Sequence, residues 1–434
     1  MILNPSMLFD QTLTYISLFS GAGVGCYGLL EEGFECVATN EILEKRLNIQ
    51  RINRKCKFDE SYISGDIKKP ETKEKILKQI EFYSKKFGND RVDLVVATPP
   101  CQGMSVANHK KKNDEIKRNS LVVESIDLIK QIKPRFFILE NVPSFYKTGC
   151  IDKNDNLLEI GSMIEQNLSG DYMLYDEVIN FKNFGANSSR TRTLVIGVCK
   201  EFKDFISALE FFPDFKQEKT LKEVIGSLKP LAWGEYDSTD FYHSFRTYPK
   251  HMQEWIKDLK EGQSAFENVQ DAISDLAYLC SNEGAFESDY LNPIQSSYQA
   301  LMRKDSPKLY NHQATNHSQA ALEKLKLINK EQGKECLPKN LHGKQQFKST
   351  WGRLNWNKIS PTIDTRFDTP SNGTNSHPEL HRSITPREAA RIQSFSDNYI
   401  FYGNKTSVCK QIGNAVPPLL ALALGKAILK SLRK

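Results

Sequence analysis

At 434 residues the chain is too long for one simple core and calls for about two domains. Apolar residues make up 39% and charged residues 26%, the balance of a soluble globular protein, and no apolar run approaches the length that spans a bilayer. The net charge of +6 is diluted by 53 acidic residues, so it permits a polyanionic partner without requiring one. Nine cysteines, an odd number with no CxxC pair, suggest neither a disulfide framework nor a zinc site and fit a reducing, cytoplasmic compartment. The N-terminus lacks the basic-then-apolar order of a signal peptide.

Residues 1–14 read as a short leader. Short apolar runs then predict strands at 15–19, 36–40, 62–65, 93–97, 136–140, 175–180 and 193–198, with helices over 71–87, 119–132 and 157–168 between them. Such alternation predicts a mostly parallel sheet with helices on both faces. No helix separates the last two strands, so they should pair antiparallel. Residues 201–350 change character: periodicity is weak, and Trp233, Tyr236, Phe241, Tyr242, Phe245 and Tyr248 cluster. This block predicts a second, smaller, irregular or β-rich domain. Helical pattern returns at 385–393 and 417–430, the first with Thr385 as N-cap, Pro386 in the first turn and Glu388 three residues on.

Four constellations carry chemistry. Phe19-Ser20-Gly21-Ala22-Gly23-Val24-Gly25 follows the first strand, and Glu41 ends the second, where a carboxylate can accept from ribose hydroxyls. Cys26 stands where the dinucleotide fingerprint wants glycine, which favours a nucleoside site without phosphates; an ordinary strand-to-helix turn stays open. Asp66, after the third strand, suits an exocyclic amine or a turn. Pro99-Pro100-Cys101-Gln102 places a thiol just past the fourth strand, stiffened by two prolines. A positioned nucleophile and a buried structural cysteine explain that tetrapeptide equally well. Glu140 closes the fifth strand and can donate a proton if burial raises its pKa, or simply cap a turn. Arg190 and Arg192 alternate along an incipient strand and so share a face. Lys110, Lys111, Lys112, Lys117 and Arg118 form a basic loop downstream of Cys101, suited to a polyanion or to plain solvation.

Together these pieces resemble the cytosine-C5 DNA methyltransferases over residues 15–198 and 351–430. Gly65-Asp66-Ile67, Glu140-Asn141-Val142, Arg190-Thr191-Arg192, Thr385-Pro386-Arg387-Glu388-Ala389-Ala390-Arg391 and Gln411-Ile412-Gly413-Asn414-Ala415-Val416-Pro417 match in family order, besides the glycine and cysteine motifs. Six or more ordered motifs argue against chance. The resemblance implies an α/β class I methyltransferase fold of Rossmann type, with a mostly parallel seven-stranded sheet. It implies a catalytic domain over 1–200, a target-recognition domain over 201–370 and a returning segment over 371–434. Cys101 would add to carbon 6 of a flipped-out cytosine, Glu140 would meet N3, and Arg192, with Arg190, would hold the base. S-adenosylmethionine would sit on Phe19, Gly21, Gly23, Glu41, Asp66, Ile67, Pro99, Leu121 and Asn414, with no metal. Gln102, Ser105, Arg353 and Thr362 would face DNA, Arg353 as a guanine reader. Ser188 departs from the glutamine usual at its position.

The implied partner is double-stranded DNA, met by a cytoplasmic, nucleoid-associated monomer of the bacterial restriction–modification type, with a cognate endonuclease on the same site and no membrane. A tRNA-cytosine methyltransferase of the same branch and a non-catalytic DNA-binding protein are the alternatives. The aromatic-rich middle block opposes the first, and the intact Cys101, Glu140 and Arg192 oppose the second. A nicotinamide oxidoreductase is remote, because of Cys26 and the later motifs.

Overall fold

A computed structural model describes residues 12–89, 91–100, 119–202, 211–212, 218–228, 287–288, 296–304, 306–315, 317–328, 333–341 and 349–432. The strands are β1 (Thr14–Leu18), β2 (Glu35–Glu41), β3 (Tyr62–Ser64), β4 (Leu94–Ala97), β5 (Phe136–Asn141), a short hairpin β6 (Gly149–Ile151) and β7 (Leu157–Glu159), then β8 (Tyr172–Asn180) and β9 (Thr191–Cys199). Seven of them form one sheet in the order β3-β2-β1-β4-β5-β9-β8. The first five are parallel, and β9 runs antiparallel to both β5 and β8, as the missing helix between the last two strands predicts.

Helices α1 (Tyr27–Glu31), α2 (Glu44–Ile52), α3 (Pro70–Phe87), α4 (Leu121–Ile132) and α5 (Ile160–Leu168) connect these strands. The central strands are buried on both sides, which is why they read as unbroken apolar runs. Tyr15, Val96, Ile138 and Leu194 face α1 and the C-terminal helix Pro418–Leu432. Ile16, Val95, Leu139 and Val195 face α3, α4 and α5. Residues 405–432 are, against expectation, long and apolar enough to cross a bilayer, yet Leu420, Leu424, Ile428 and Leu432 of that stretch belong to the sheet's own core. The helix start predicted at 157 is instead strand β7.

Two compact units result, Met1–Glu218 with Ala415–Lys434, and Lys219–Asn414. Residues 371–414, expected to return to the first part, group with the second. That unit holds only two-residue and three-residue strands among its described residues. Its helix Pro386–Ile392 begins with the predicted capping box between Thr385 and Glu388.

Candidate active site

The turn after β1 is bent by three left-handed residues, Phe19 (φ 54°), Gly21 (φ 55°) and Gly23 (φ 86°). Gly23 is required by packing, since a Cβ there would lie 2.6 Å from Gln50 Cγ. At Gly21 the same Cβ would meet nothing within 4 Å, so this side of the turn is open to a ligand. Gln50 of α2 is fully buried and organises the turn. Its Nε2 donates to Ser20 Oγ (2.7 Å) and to the Gly21 carbonyl (2.8 Å), and its Oε1 accepts from Thr39 (2.7 Å). The sequence reading missed Gln50; the only trace is its place one helical turn after the buried Leu47.

Glu41 ends β2 beside this turn. Its Oε1 accepts from the Leu43 N–H (3.2 Å) and from Arg46 (3.1 Å), and its Oε2 from the Gly21 N–H (3.0 Å). A carboxylate oxygen has two lone pairs, so Oε2 keeps one acceptor site. Ile42, the next residue, is 60% exposed, an apolar side chain in water at this edge that the sequence reading also missed.

Glu140 and Arg192 meet across the β5–β9 boundary. Glu140 opposes Leu194 in register, and Arg192, two residues from Leu194, shares that face. Arg192 Nε lies 3.3 Å from Glu140 Oε1, and Arg192 Nη1 donates to the Thr191 carbonyl (2.7 Å). Glu140 also borders an apolar cleft with Val96, Ile138, Leu194, Val416 and Leu420. Burial pushes the Glu140 carboxyl above the usual carboxylate range, and Arg192 and Arg190 pull it back only in part. The arrangement is a buried carboxyl, made a weaker acid by burial, with a guanidinium at its side. Pro99, at the same edge, is buried; Cys101, Gln102, Ser105 and the basic loop through Arg118 lie outside the described residues.

A family model described as C-5 cytosine-specific DNA methylase matches residues 13–430. The chain belongs to this family. It is a DNA (cytosine-5)-methyltransferase. It is 30% identical over 357 residues to the type II methyltransferase M.DdeI of Desulfomicrobium norvegicum, covering 78% of this chain and 72% of the relative. The type II methyltransferase M1.HphI of Haemophilus parahaemolyticus is 25% identical, covering 99% of this chain and 90% of its own. A crystal structure described as a DNA modification methyltransferase encoded within an E. coli prophage superposes with a TM-score of 0.61 at 24% identity, covering 98% of this chain and all of its own. That likeness speaks to the fold.

Other residues singled out in this methyltransferase fall as follows. Asp66 Oδ1 accepts from the Lys68 N–H (3.0 Å), the turn that its sequence position allowed. Ile67 is buried in the sheet's core, and Leu121 opens α4 against the same core. Asn414 caps the helix Lys405–Gly413 and is exposed, at the end of the second unit. Thr362 is exposed and the adjoining Ile363 is buried. Arg353 corrects its expected role. It is 7% exposed, and Nε, Nη1 and Nη2 donate to the carbonyls of Ile328, His377, Leu380 and Leu325, with His381 Nδ1 taking the last donor. A guanidinium has five donors, so none is left to read guanine. Its basicity is lowered by burial, as befits an interior tie.

Proposed function

We propose that this methyltransferase transfers a methyl group from S-adenosylmethionine to carbon 5 of a flipped-out cytosine in one duplex sequence, as the modification enzyme of a type II restriction–modification pair. Its relatives' names support that setting. The observation that carries the chemistry is the pairing of buried Glu140 with half-buried Arg192 at the sheet edge where β4 runs into Pro99-Pro100. The residues of the β1 turn fit the cofactor. Gly21 is open, Glu41 keeps an acceptor for a ribose hydroxyl, Ile42 offers an exposed apolar surface, and Phe19, Gly23, Asp66, Ile67, Pro99 and Leu121 complete the set within the first unit. Bound there, S-adenosylmethionine supplies the electrophilic methyl group that carbon 5 takes.

In this reading the Cys101 thiolate adds to carbon 6 of a base drawn out of the stack. Glu140, whose hold on a proton burial strengthens, donates to N3, so charge does not build up on the ring. Arg192 spends Nε and Nη1 inside the protein, which leaves Nη2 to hold the O2 carbonyl. Loss of the carbon-5 proton and departure of Cys101 restore the aromatic ring. Gln102, Ser105 and Thr362 face DNA. The enzyme acts as a cytoplasmic monomer, because one chain carries both the catalytic and the DNA-reading parts, and a cognate endonuclease cuts the same site. The test is bisulfite sequencing of DNA from cells expressing the chain, beside methylation assays on duplex DNA and on tRNA. Methylcytosine in one duplex sequence, lost in Cys101→Ser, supports the proposal; methylation of tRNA alone, or full activity of Cys101→Ser, overturns it.

A further inference from the structure

Main-chain pairing of β4 with β5 ends at Ala97 opposite Leu139. At that level or just past it, every boundary of the seven-stranded sheet is crossed by a side chain that donates to a main-chain carbonyl. Asn40 of β2 reaches the β3 side at Ile63 (3.0 Å) and Gly65 (3.2 Å). Ser20, after β1, reaches Asn40 (3.1 Å), and Thr98, after β4, reaches Phe19 (3.2 Å). Asn141 of β5 reaches Pro99 (2.9 Å). The Thr193 hydroxyl of β9 lies 3.1 Å from the carbonyls of both Val142 and Pro143, and Asn180 of β8 reaches Ser189 (3.2 Å). These ties follow the strand order β3-β2-β1-β4-β5-β9-β8 across the edge that carries the candidate active site.

One tie has a special position. Pro99 and Pro100 lack N–H groups, so the main chain cannot extend the β4–β5 ladder into the loop that bears Cys101. Asn141 ties this segment to β5 through the acceptor the prolines keep: its Nδ2 donates to the Pro99 carbonyl. It is 3% exposed, and its Oδ1 accepts from the Val142 N–H (2.9 Å), so both ends of the amide are held. From the Pro99 carbonyl to Cys101 the chain passes through one further residue, whose φ the proline ring fixes. We propose that Asn141 is the positioning residue for the Cys101 nucleophile, and that the Glu140-Asn141 dipeptide sets acid and nucleophile against each other: Glu140 faces one side of the strand and Asn141 the other. This rests on Cys101 being the nucleophile.

Asn141→Asp keeps the shape and the acceptor for Val142 but removes the donor. The readout is release of tritium from carbon 5 of cytosine in duplex DNA without cofactor, which reports addition at carbon 6 alone. The expected result is a loss of about 10- to 100-fold in the saturated exchange rate, the scale of a misplaced nucleophile, with S-adenosylmethionine affinity retained. Relative to wild type, the variant should recover as pH falls from about 8 to about 6, because burial at this position raises the introduced carboxyl and a protonated Asp again donates to Pro99. Thr193→Val removes a tie of the same kind one boundary away and calibrates the effect of stability alone. Exchange within about twofold of wild type in a folded Asn141→Asp protein, or a loss no larger than that of Thr193→Val at equal melting temperature, overturns the proposal. Should Asn141→Asp not fold, Asn141→Ser is read by the same criteria. Cys101→Ser separates the two claims: if it still exchanges, the nucleophile assignment fails; if it is inert while Asn141→Asp is normal, only the positioning role fails.

Discussion

The two units solve one problem, the satisfaction of main-chain carbonyls, by different means. In the first, a seven-stranded ladder satisfies most of them, and small neutral side chains such as Thr98, Asn141 and Thr193 finish the loops. In the second, the described strands are two or three residues long, so guanidinium groups do the work. Arg387 donates to the carbonyls of Tyr310, Ser396 and Tyr399, and Arg353 to four more. Arg382 pairs with Glu388 through two contacts of 2.8 Å, and Arg391 with Asp397 at 3.0 and 2.6 Å, all four side chains nearly or wholly buried. An irregular chain that must bury its backbone needs many-toothed donors, and arginine is the side chain with five.

That contrast can be broken most forcefully at Arg391. Arg391→Ala leaves Asp397 buried without its bidentate partner and should cost about 3–5 kcal/mol in denaturant unfolding. Arg391→Lys should recover only part, because an ammonium cannot reproduce the fork. The matching probe of the first unit is Glu140→Gln, which keeps the shape and removes the proton. Activity should fall by roughly 10²–10⁴-fold in a methyl-transfer assay, with little change in melting temperature on the acidic side of the Glu140 titration. Arg353→Ala sharpens the comparison further: it should lower stability and leave the methylated sequence unchanged by bisulfite sequencing, whereas a guanine reader would alter the sequence instead.

Glu140 and two buried histidines of the second unit differ in the sign of their pH dependence. His377 Nδ1 accepts from the N–H groups of Glu379 and Leu380, and His317 Nε2 from that of Ser383, so each is held neutral. Burial lowers His317 to about 4 and His377 to about 3. Their contribution is full above the ordinary histidine range near 6.5 and is lost as pH falls from there toward about 4 and about 3. Glu140, raised by burial, contributes in the opposite sense: full below the ordinary carboxylate range and lost as pH rises through its elevated value. Thermal melts of His317→Gln and Glu140→Gln across pH should flatten opposite limbs of the wild-type curve. The smallest effect lies within the first unit. Gly21→Ala should cost about 1 kcal/mol for its left-handed φ and weaken cofactor affinity, whereas Gly23→Ala should cost more, because its methyl meets Gln50 at 2.6 Å.

Much of the sheet was legible in the chain. Doubly buried strands carry short apolar runs, so the cores of β1, β4, β5 and β9 stand out. Helix α2 was not legible, because its composition is polar and only Leu47, Ile49 and Gln50 turn inward. Arg190 and Arg192 could be placed on one face by alternation alone, since the period of two needs no tertiary knowledge, whereas bringing Glu140 to that face took the register of β5 on β9. Arg353 could not be placed. An arginine bonded to four carbonyls and one in contact with a base look the same in a sequence, and the partners lie 24 to 28 residues away.

The identities and order of the motifs, and the periodicities that make a parallel sheet with an antiparallel end, are local properties, and the chain alone settles them. Which donors meet which carbonyls is not local. Asn141 and Pro99 are 42 residues apart, Thr193 and Val142 are 51, and only the stacking of β4, β5 and β9 brings them within hydrogen-bond reach. Burial is likewise decided by the assembled sheet and the C-terminal helix, and it is burial that lifts the Glu140 carboxyl above the ordinary carboxylate range.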